Sequence, residues 1–140
     1  MFHQIATEKS LKDLNKGTLA ENLGIEILEY GDGFIKGKMP VDERTIQPFG
    51  ILHGGASVAF AETLGSVASF MLVAEGKQVV GLEINANHIR SAKSGKVIGV
   101  AKIIHKGNAT HVWEVEVKDE QDRLISKGRL TMMIMQKDGK

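Results

Sequence analysis

The chain has 140 residues, of which 42% are hydrophobic and 25% charged, and its net charge is +1. This length suits one domain with a buried core, and the balanced charge favours no polyanion as a partner of the whole chain. The absence of cysteine excludes a disulfide framework, a thiol nucleophile and Cys-ligated metal sites. We predict a single domain over residues 1–140. We also expect a cytoplasmic protein, because no export signal or membrane-spanning run is recognisable.

The first forty residues predict two short helices and a β-hairpin. An amphipathic helix is expected over residues 7–16, and Thr18-Leu-Ala-Glu21 matches a capping box that would start a second, brief helix. Residues 25–30 and 34–39 alternate between apolar and polar side chains around Gly31-Asp32-Gly33, which is typical of two strands joined by a tight turn. A loop is expected over residues 41–52.

Residues 54–74 predict a long helix that is apolar on every side, and such a helix is buried all round. Its length of about 30 Å would span a small domain. Four strands are expected after it, at about 78–89, 96–106, 111–118 and 123–135, with turn residues between them. This order predicts an α+β fold in which an antiparallel sheet wraps around one central helix.

Glu62 is the only ionisable residue between Gly54 and Ala74. Burying a carboxylate on such a helix costs free energy unless the chemistry needs it, and burial would make it a base that works near neutral pH. Ser66 and Ser69 lie four and seven residues further on, so all three are expected to share one helix face. The alternative is a glutamate that faces a gap or a subunit contact.

The loop before this helix has the sequence Gln47-Pro48-Phe49-Gly50-Ile51-Leu52-His53-Gly54-Gly55. Two glycines let a ligand approach N–H groups at the positive end of the helix dipole. Such a start suits an anion or a developing oxyanion, and Gln47 and His53 could point to the same place. An ordinary glycine-rich cap is the alternative.

The spacing of Gly55 and Glu62 predicts a dimer. Seven residues separate them, or about 10 Å along one helix. A reacting carbonyl must lie about 3 Å from both its oxyanion donor and its attacker. One helix therefore cannot supply both groups, whereas Gly55 of one subunit could face Glu62 of another.

The segment from Ile84 to Trp113 contains no acidic residue. Its basic side chains are Arg90, Lys93, Lys96, Lys102 and Lys106, together with His88, His105 and His111. A local excess of positive charge favours a phosphate-bearing ligand, although chance clustering explains it equally well. Trp113 is its only aromatic residue, so the stacking series of a nucleic-acid binder is missing.

Two other kinds of chemistry are disfavoured. Gly55-Ala-Ser57-Val-Ala59 is one residue short of the G-x-S-x-G nucleophile elbow, and a proline-containing loop leads into it where the elbow needs a strand. No pair of His or carboxylate side chains has metal-ligand spacing within one element. We therefore expect neither a serine nucleophile nor a metal ligand set.

The chain resembles the hotdog-fold acyl-CoA thioesterases of the 4-hydroxybenzoyl-CoA thioesterase (Arthrobacter type) branch. That branch includes the enterobactin proofreading thioesterase and the 1,4-dihydroxy-2-naphthoyl-CoA hydrolase. The resemblance covers nearly the whole chain. It is carried by Gln47-Pro48-Phe49-Gly50-x-x-His53-Gly54-Gly55-x-Ser57, by Ala61-Glu62 and Ser66, and by Val80-Gly-Leu-Glu-Ile-Asn-Ala-Asn-His88-x-Arg90-Ser91.

This resemblance implies a role for each matched residue. Glu62 would be the nucleophile or the general base that activates water, and the Gly55 N–H would polarise the thioester carbonyl. Gln47 and His53 would help to position that carbonyl, and Ser66 would contact the acyl group or the attacking water. The CoA nucleotide and pantetheine would be held by Gly81, His88, Ile89, Arg90, Ser91, His105, Lys106, Gly107, Asn108, Ala109 and Thr110. The resemblance also implies homotetramers built as dimers of dimers.

We therefore expect hydrolysis of an acyl- or aroyl-CoA thioester to free acid and CoA. The predicted enzyme is a homodimer or homotetramer with no metal or redox cofactor and no nucleic acid or membrane as partner. A non-catalytic acyl-CoA sensor would have no use for a buried Glu62. A hotdog hydratase would need an acid and a His placed for C–C double-bond chemistry, which Gln47, His53 and Glu62 do not match. The acyl group stays open, because its pocket would involve two subunits.

Overall fold

A computed structural model describes residues 8–137, with side chains from Leu11 onward. Its helices are α1 (Glu8–Asn15), α2 (Leu19–Asn22) and α3 (Gly54–Leu72). Its strands are β1 (Glu26–Gly31), β2 (Phe34–Pro40), β3 (Lys77–His88), β4 (Lys96–Lys106), β5 (Thr110–Asp119) and β6 (Leu124–Gln136). The strands form an antiparallel six-stranded sheet in the order β1-β2-β4-β5-β6-β3, and α3 packs against its inner face. The predicted α+β arrangement of a central helix and a wrapping antiparallel sheet is confirmed.

Glycines on the facing strands let α3 lie close against the sheet. A Cβ at Gly99 on β4 would lie 2.7 Å from Leu64 Cδ1 and 2.8 Å from Phe60 Cε2, and Gly37 on β2 would meet Leu64 in the same way. Leu64 and Phe60 are fully buried, as is Trp113 from β5. Burying a side chain of this kind contributes about 1.5–3 kcal/mol, so this layer is a main source of stability.

The predicted hairpin and the four later strands are found within two residues of their expected limits. Gly33 adopts a φ of 74° in the turn between β1 and β2, as the turn signal requires. The predicted helix over residues 7–16 is found as α1, although residue 7 lies outside the described residues. Helix α3 ends two residues earlier than expected, at Leu72, and Gly76, with a φ of 85°, lies in the turn that follows.

The predicted capping box at α2 is only half correct. Thr18 is the N-cap residue but makes no side-chain capping bond. Its hydroxyl instead donates to the carbonyl of Asn15, at the end of α1. Glu21 does reach back toward the helix start, but it accepts from the Gly17 N–H rather than from Thr18. The preceding helix is so close that its free carbonyl competes for the Thr18 hydroxyl.

One face of α3 is not covered by the sheet, so the prediction of a helix buried all round is wrong for the single chain. Accessible residues recur along this uncovered face at helical spacing. They are Gly55, Val58, Ala59, Glu62, Thr63, Ser66 and Phe70. A single curved sheet covers only the side of the helix that faces it, and the remaining face carries mostly small or apolar residues besides Glu62 and Thr63.

Among the helices of residues 8–137, α3 is the one that is long and apolar enough to cross a bilayer. In the structure 61% of the apolar stretch of α3 is buried within the chain. Its burial against the sheet identifies α3 as the central core helix of this fold.

The sheet has two ends that carry different predicted site residues. The "His88 end" holds the end of β3, the start of β4 and, through a bond from the Leu52 N–H to the Ala92 carbonyl, the start of α3. The "Gly107 end" holds the turn between β4 and β5 and the end of β6. Strand β4 has 11 residues, so at about 3.3 Å per residue the two ends are roughly 30 Å apart.

Candidate active site

The loop that leads into α3 is built around the buried side chain of Thr45. The Thr45 hydroxyl donates to the Pro40 carbonyl at 2.8 Å, and the Thr45 carbonyl accepts from the His53 N–H at 2.8 Å. The Leu52 N–H donates to the Ala92 carbonyl, also at 2.8 Å, which ties the loop to the His88 end of the sheet. These bonds fix the point at which the helix begins.

Gln47 lies in a tight turn within this loop. Its backbone N–H donates to the Ile51 carbonyl at 2.9 Å, and Gly50 supports the turn with a φ of 78°. The Gln47 Oε1 accepts from the Phe49 N–H. This bond leaves the amide N–H groups of the side chain as the donors that Gln47 can offer to a ligand carbonyl. Phe49, at the tip of this turn, is 89% exposed, although no role was predicted for it.

His53 caps α3 and engages the N–H group that was predicted as the oxyanion donor. The Gly55 N–H donates to the His53 Nδ1 at 2.7 Å. To accept this bond, the ring must carry its proton on Nε2. A Cβ at residue 55 would lie 2.9 Å from the ring, so glycine is what lets the imidazole fold over the helix start. A substrate carbonyl must therefore share or displace this bond to use the Gly55 N–H.

A second imidazole covers the same helix start. His88, the last residue of β3, lies so close to Gly54 that a Cβ there would be 2.7 Å from its Nε2 atom. The structure thus brings His88, which was predicted to contact CoA, to the two glycines that begin α3. Only residues without a side chain permit both rings to approach.

Glu62 lies two turns along α3, on the uncovered face, and its side chain is half-buried rather than fully buried. Within residues 8–137 its carboxylate makes no hydrogen bond or ion pair. It packs instead on Gly81 of β3, where a Cβ would overlap Oε1 and lie 3.1 Å from Cδ. The carboxylate is therefore open to a reacting group and is placed by contact with the strand backbone.

Comparison with known proteins identifies the family to which this chain belongs. Residues 49–126, which include the helix start and Glu62, match the model of the thioesterase superfamily. The chain belongs to this family.

Individual relatives of this thioesterase are similar over almost their whole length. The 1,4-dihydroxy-2-naphthoyl-CoA hydrolase of Escherichia coli K12 is 47% identical, over 92% of this chain and 95% of that protein. The proofreading thioesterase EntH of Cronobacter turicensis is 46% identical, over 92% and 94%. The crystal structure of a thioesterase from Haemophilus influenzae superposes with a TM-score of 0.93 at 44% identity, over 96% of this chain and 94% of that one. The predicted hotdog fold and the predicted activity, acyl-CoA thioester hydrolysis, are confirmed.

The thioesterase brings together only two of the three residues that were predicted to share one face of α3. Ser66 is half-buried on the same face as Glu62. Ser69 is fully buried, and its hydroxyl accepts from the Trp113 Nε1 at 2.7 Å. Strand β5 covers this last part of the helix, so the third residue belongs to the core.

Ser69 also bonds to His111, a buried histidine of the basic segment for which no site role was predicted. The His111 Nδ1 lies 3.0 Å from the Ser69 Oγ, and the His111 side chain is 1% exposed. Burial, followed by the positive charges of Lys106 and His105, lowers the pKa of His111 below its usual value. The signal that could have found this site is the period-two pattern of β5, which turns His111 inward beside Trp113.

We expect this histidine to make the thioesterase less stable as the pH falls. The unfolded chain binds a proton at His111 near pH 6.5, whereas the folded chain does so only at lower pH. Folding stability is therefore lost as the pH falls through about 6.5 toward the folded pKa, by at most about 1.4 kcal/mol per pH unit. Urea unfolding of wild type and His111→Asn between pH 7.5 and 5 tests this. An equal slope for both proteins would contradict it.

The predicted CoA-binding residues divide between the two ends of the sheet. Arg90 and Ser91, at the His88 end, line a cavity of about 560 Å³ together with Lys93 and Lys96. Ile89, next to them, is exposed, and its N–H bonds to the Ile125 carbonyl at 2.7 Å. Residues 105–110 lie at the Gly107 end, so one chain does not bring the two groups together.

The cavity at the His88 end keeps most of its positive charge. Burial opposes the ionisation of Asp119 there, but hydrogen bonds from Arg123 and from the Gln121 N–H outweigh it and hold the Asp119 pKa below its usual range. Asp119 and Arg123 therefore largely neutralise each other at 2.7 Å. Three cations, Arg90, Lys93 and Lys96, remain against Glu120.

The turn at the Gly107 end has a fixed shape. The Gly107 N–H donates to the Thr110 carbonyl at 2.9 Å, and the Ala109 carbonyl accepts from the Ile134 N–H at 2.9 Å. His105, Lys106 and Asn108 are exposed around it. In the described part of the chain no cluster of three His, Asp or Glu side chains is placed to hold a metal ion.

Proposed function

We propose that this protein hydrolyses acyl- or aroyl-CoA thioesters by a Glu62-dependent reaction in a site shared by two subunits. The observation that carries the proposal is the free carboxylate of Glu62 on the uncovered face of α3. A carboxylate that is half-buried on a face of mostly small and apolar residues loses hydration without a compensating partner, and a catalytic role would explain this cost. We further propose that the enzyme works in the cytoplasm without a metal or redox cofactor.

The proposed reaction uses two opposed features. The Gly55 N–H and the start of the helix dipole would stabilise the negative charge that develops on the thioester carbonyl oxygen. Gln47 would add a side-chain N–H donor, His53 would hold the helix start, and Ser66 would contact the acyl group or the water. Glu62 would attack the carbonyl directly or remove a proton from the attacking water. The CoA thiolate leaves, and the free acid remains.

The second subunit is inferred from β3, which forms an edge of the sheet. It has 12 residues, and Val80 and Leu82 are 40% and 58% exposed on it. A long, apolar edge strand is a template for pairing with another chain. The other edge strand, β1, has only 6 residues and carries Glu26 and Glu29, so it is a poorer template.

Antiparallel pairing of two β3 strands would complete the site. A twofold axis near the middle of β3 would place the His88 end of one chain beside the Gly107 end of the other. Arg90 and Ser91 of one subunit would then meet residues 105–110 of the other, around one CoA. The uncovered faces of both α3 helices would also meet, with Gly55 of one opposite Glu62 of the other. We propose that two such dimers form the tetramer, which light scattering in solution would measure.

A thioester panel tests the proposed activity and narrows the acyl group. Thiol release should be measured with benzoyl-, hydroxybenzoyl-, 1,4-dihydroxy-2-naphthoyl- and short- to long-chain aliphatic CoA. The relatives named above include one hydrolase of an aromatic CoA ester, so we expect faster turnover of aroyl esters. Tight binding of these esters without release of thiol would instead identify an acyl-CoA sensor.

Arg90 is expected to bind the CoA part of the substrate without taking part in hydrolysis. A charge-assisted bond to a phosphate contributes about 1.5–3 kcal/mol, so Arg90→Gln should raise the KM for benzoyl-CoA about tenfold or more. The benzoyl ester of N-acetylcysteamine, which has no nucleotide, should be hydrolysed equally well by both proteins. Arg129→Gln, an exposed arginine outside the cavity, is the matched control. An equal loss on both esters would contradict the assignment.

A further inference from the structure

Gly81 is a glycine on β3 that faces α3 at the position of Glu62. A Cβ there would overlap the Glu62 Oε1, lie 3.1 Å from Cδ and lie 3.7 Å from Cγ. Even favourable carbon–oxygen contacts are not shorter than about 3.3 Å. Any side chain at residue 81 would therefore force the carboxylate to move.

The backbone of Gly81 does not itself require glycine. Its φ is not among the positive φ values of the chain, so an L side chain would be compatible with its conformation. Glycine inside a strand weakens the strand and often marks a close approach of another group. The close approach here is that of the Glu62 carboxylate.

Within residues 8–137 this carboxylate makes no hydrogen bond or ion pair that would fix its position. Thr63, the next residue of α3, bonds only back to Ala59 within the helix. Beside Gly81, Leu82 is the extra residue of a β-bulge opposite β6, where Gly81 pairs with Met132 and Glu83 with Thr131. A bulge changes the direction of the strand locally and so aims Gly81 at the helix.

We infer that Gly81 is the positioning residue of the thioesterase site. Because Gly81 has no side chain, the Glu62 carboxylate can lie directly against β3 at this position. This inference rests on the proposed catalytic role of Glu62. The resemblance implied a contact between Gly81 and the CoA ester. The contact with Glu62 instead gives Gly81 a role in placing the attacking group. A methyl group at residue 81 displaces Oε1 from the position that the thioester carbonyl requires.

Gly81→Ala tests this positioning role, because a displaced carboxylate should change kcat much more than KM. Displacement of a reacting group by about 1 Å costs on the order of 10²-fold in rate. We expect kcat for benzoyl-CoA to fall about 10- to 100-fold. The KM should stay within about threefold of wild type, because Gly81 is remote from Arg90, which is proposed to bind CoA. Val79→Ile adds a carbon at another position on the same face of β3 and should keep wild-type kcat. An unchanged kcat in Gly81→Ala would overturn the inference.

Shortening the carboxylate tests whether position is the cause. Glu62→Asp withdraws the carboxylate by one methylene, so the methyl group of Gly81→Ala should cost much less kcat in the Glu62→Asp background than in wild type. Equal costs in both backgrounds would show that Gly81 acts otherwise, and would overturn the inference. If Gly81→Ala does not fold, adding Glu62→Ala should restore folding, because it removes the side chain that the methyl group would meet. A double variant that also fails to fold would overturn the inference.

The same assays separate this inference from the proposed function. Full activity in Glu62→Gln removes the proposed role of Glu62, and the inference with it. Loss of activity in Glu62→Gln together with full activity in Gly81→Ala removes the inference alone.

Discussion

Glu62→Gln is expected to lower the turnover of CoA thioesters by on the order of 10²-fold or more. The glutamine amide has nearly the same shape as the carboxylate, so it fits the space above Gly81. It cannot attack a carbonyl as an anion or accept a proton from water at neutral pH. Thiol release at saturating benzoyl-CoA measures kcat, and the KM should change little, because the CoA contacts lie elsewhere.

A matched substitution separates this effect from a general loss of charge. Glu75 is exposed in the turn after α3, and Glu75→Gln removes the same charge outside the site. It should leave both kcat and KM at wild-type values. Undiminished turnover in Glu62→Gln would sink the proposed role of Glu62. Equal losses in both variants would assign the effect to the overall field of the protein.

The architecture was predictable because the elements have strong local signals. The alternation in residues 34–39 and in β5, and the unbroken apolar run of α3, each indicate one element without reference to the rest of the chain. The ends of the helices were predicted less accurately, because they depend on neighbouring elements. Helix α3 ends at Leu72, two residues earlier than predicted, and the Thr18 hydroxyl bonds to Asn15 of α1 instead of capping α2. Composition also overstated the burial of α3, because it does not distinguish a face that packs on the sheet from a face that the sheet leaves uncovered.

The site residues were predictable as single positions but not as contacts. Glu62 stands out as the one charge in an apolar helix, and His53 as a polar residue before two glycines. Neither pattern indicates that His53 accepts a hydrogen bond from the Gly55 N–H. Nor does either indicate that His88 packs against Gly54, or that the Glu62 side chain packs against Gly81. These contacts join positions that are distant in sequence or depend on one rotamer, so a single sequence holds no record of them.

The separation of the two sheet ends has a functional consequence. Residues 88–91 and 105–110 are roughly 30 Å apart in one chain. Gly55 and Glu62 are about 10 Å apart along α3. Both pairs are too distant to hold the same part of one thioester, and one antiparallel pairing of β3 would resolve both. The arrangement therefore predicts a site in which each subunit supplies half of the machinery.

Mixed dimers of two inactive variants are expected to recover activity. One variant is Glu62→Gln. The other is Gly55→Pro, which removes the oxyanion N–H in the first turn of α3 and should by itself cost about 10²- to 10³-fold in kcat. In a mixed dimer one site combines Glu62 of the second variant with Gly55 of the first, and the other site lacks both groups. A mixed dimer should therefore show about half of the wild-type activity, and assemblies purified through two different tags should recover activity up to that half, because some tetramers pair two unmixed dimers.

Dimers of each single variant, carrying the same pair of tags, are the controls and should stay inactive. Gln47→Ala can replace Gly55→Pro if the proline disturbs the helix start, because Gln47 lies on the same side of the proposed site as Gly55. Thermal unfolding should show that each variant is folded before mixing. If one chain supplied both Glu62 and Gly55 to its own site, both sites of the mixed dimer would be defective. Mixed dimers as inactive as the controls would therefore contradict the shared site, while leaving the effect of Glu62→Gln to be judged by itself.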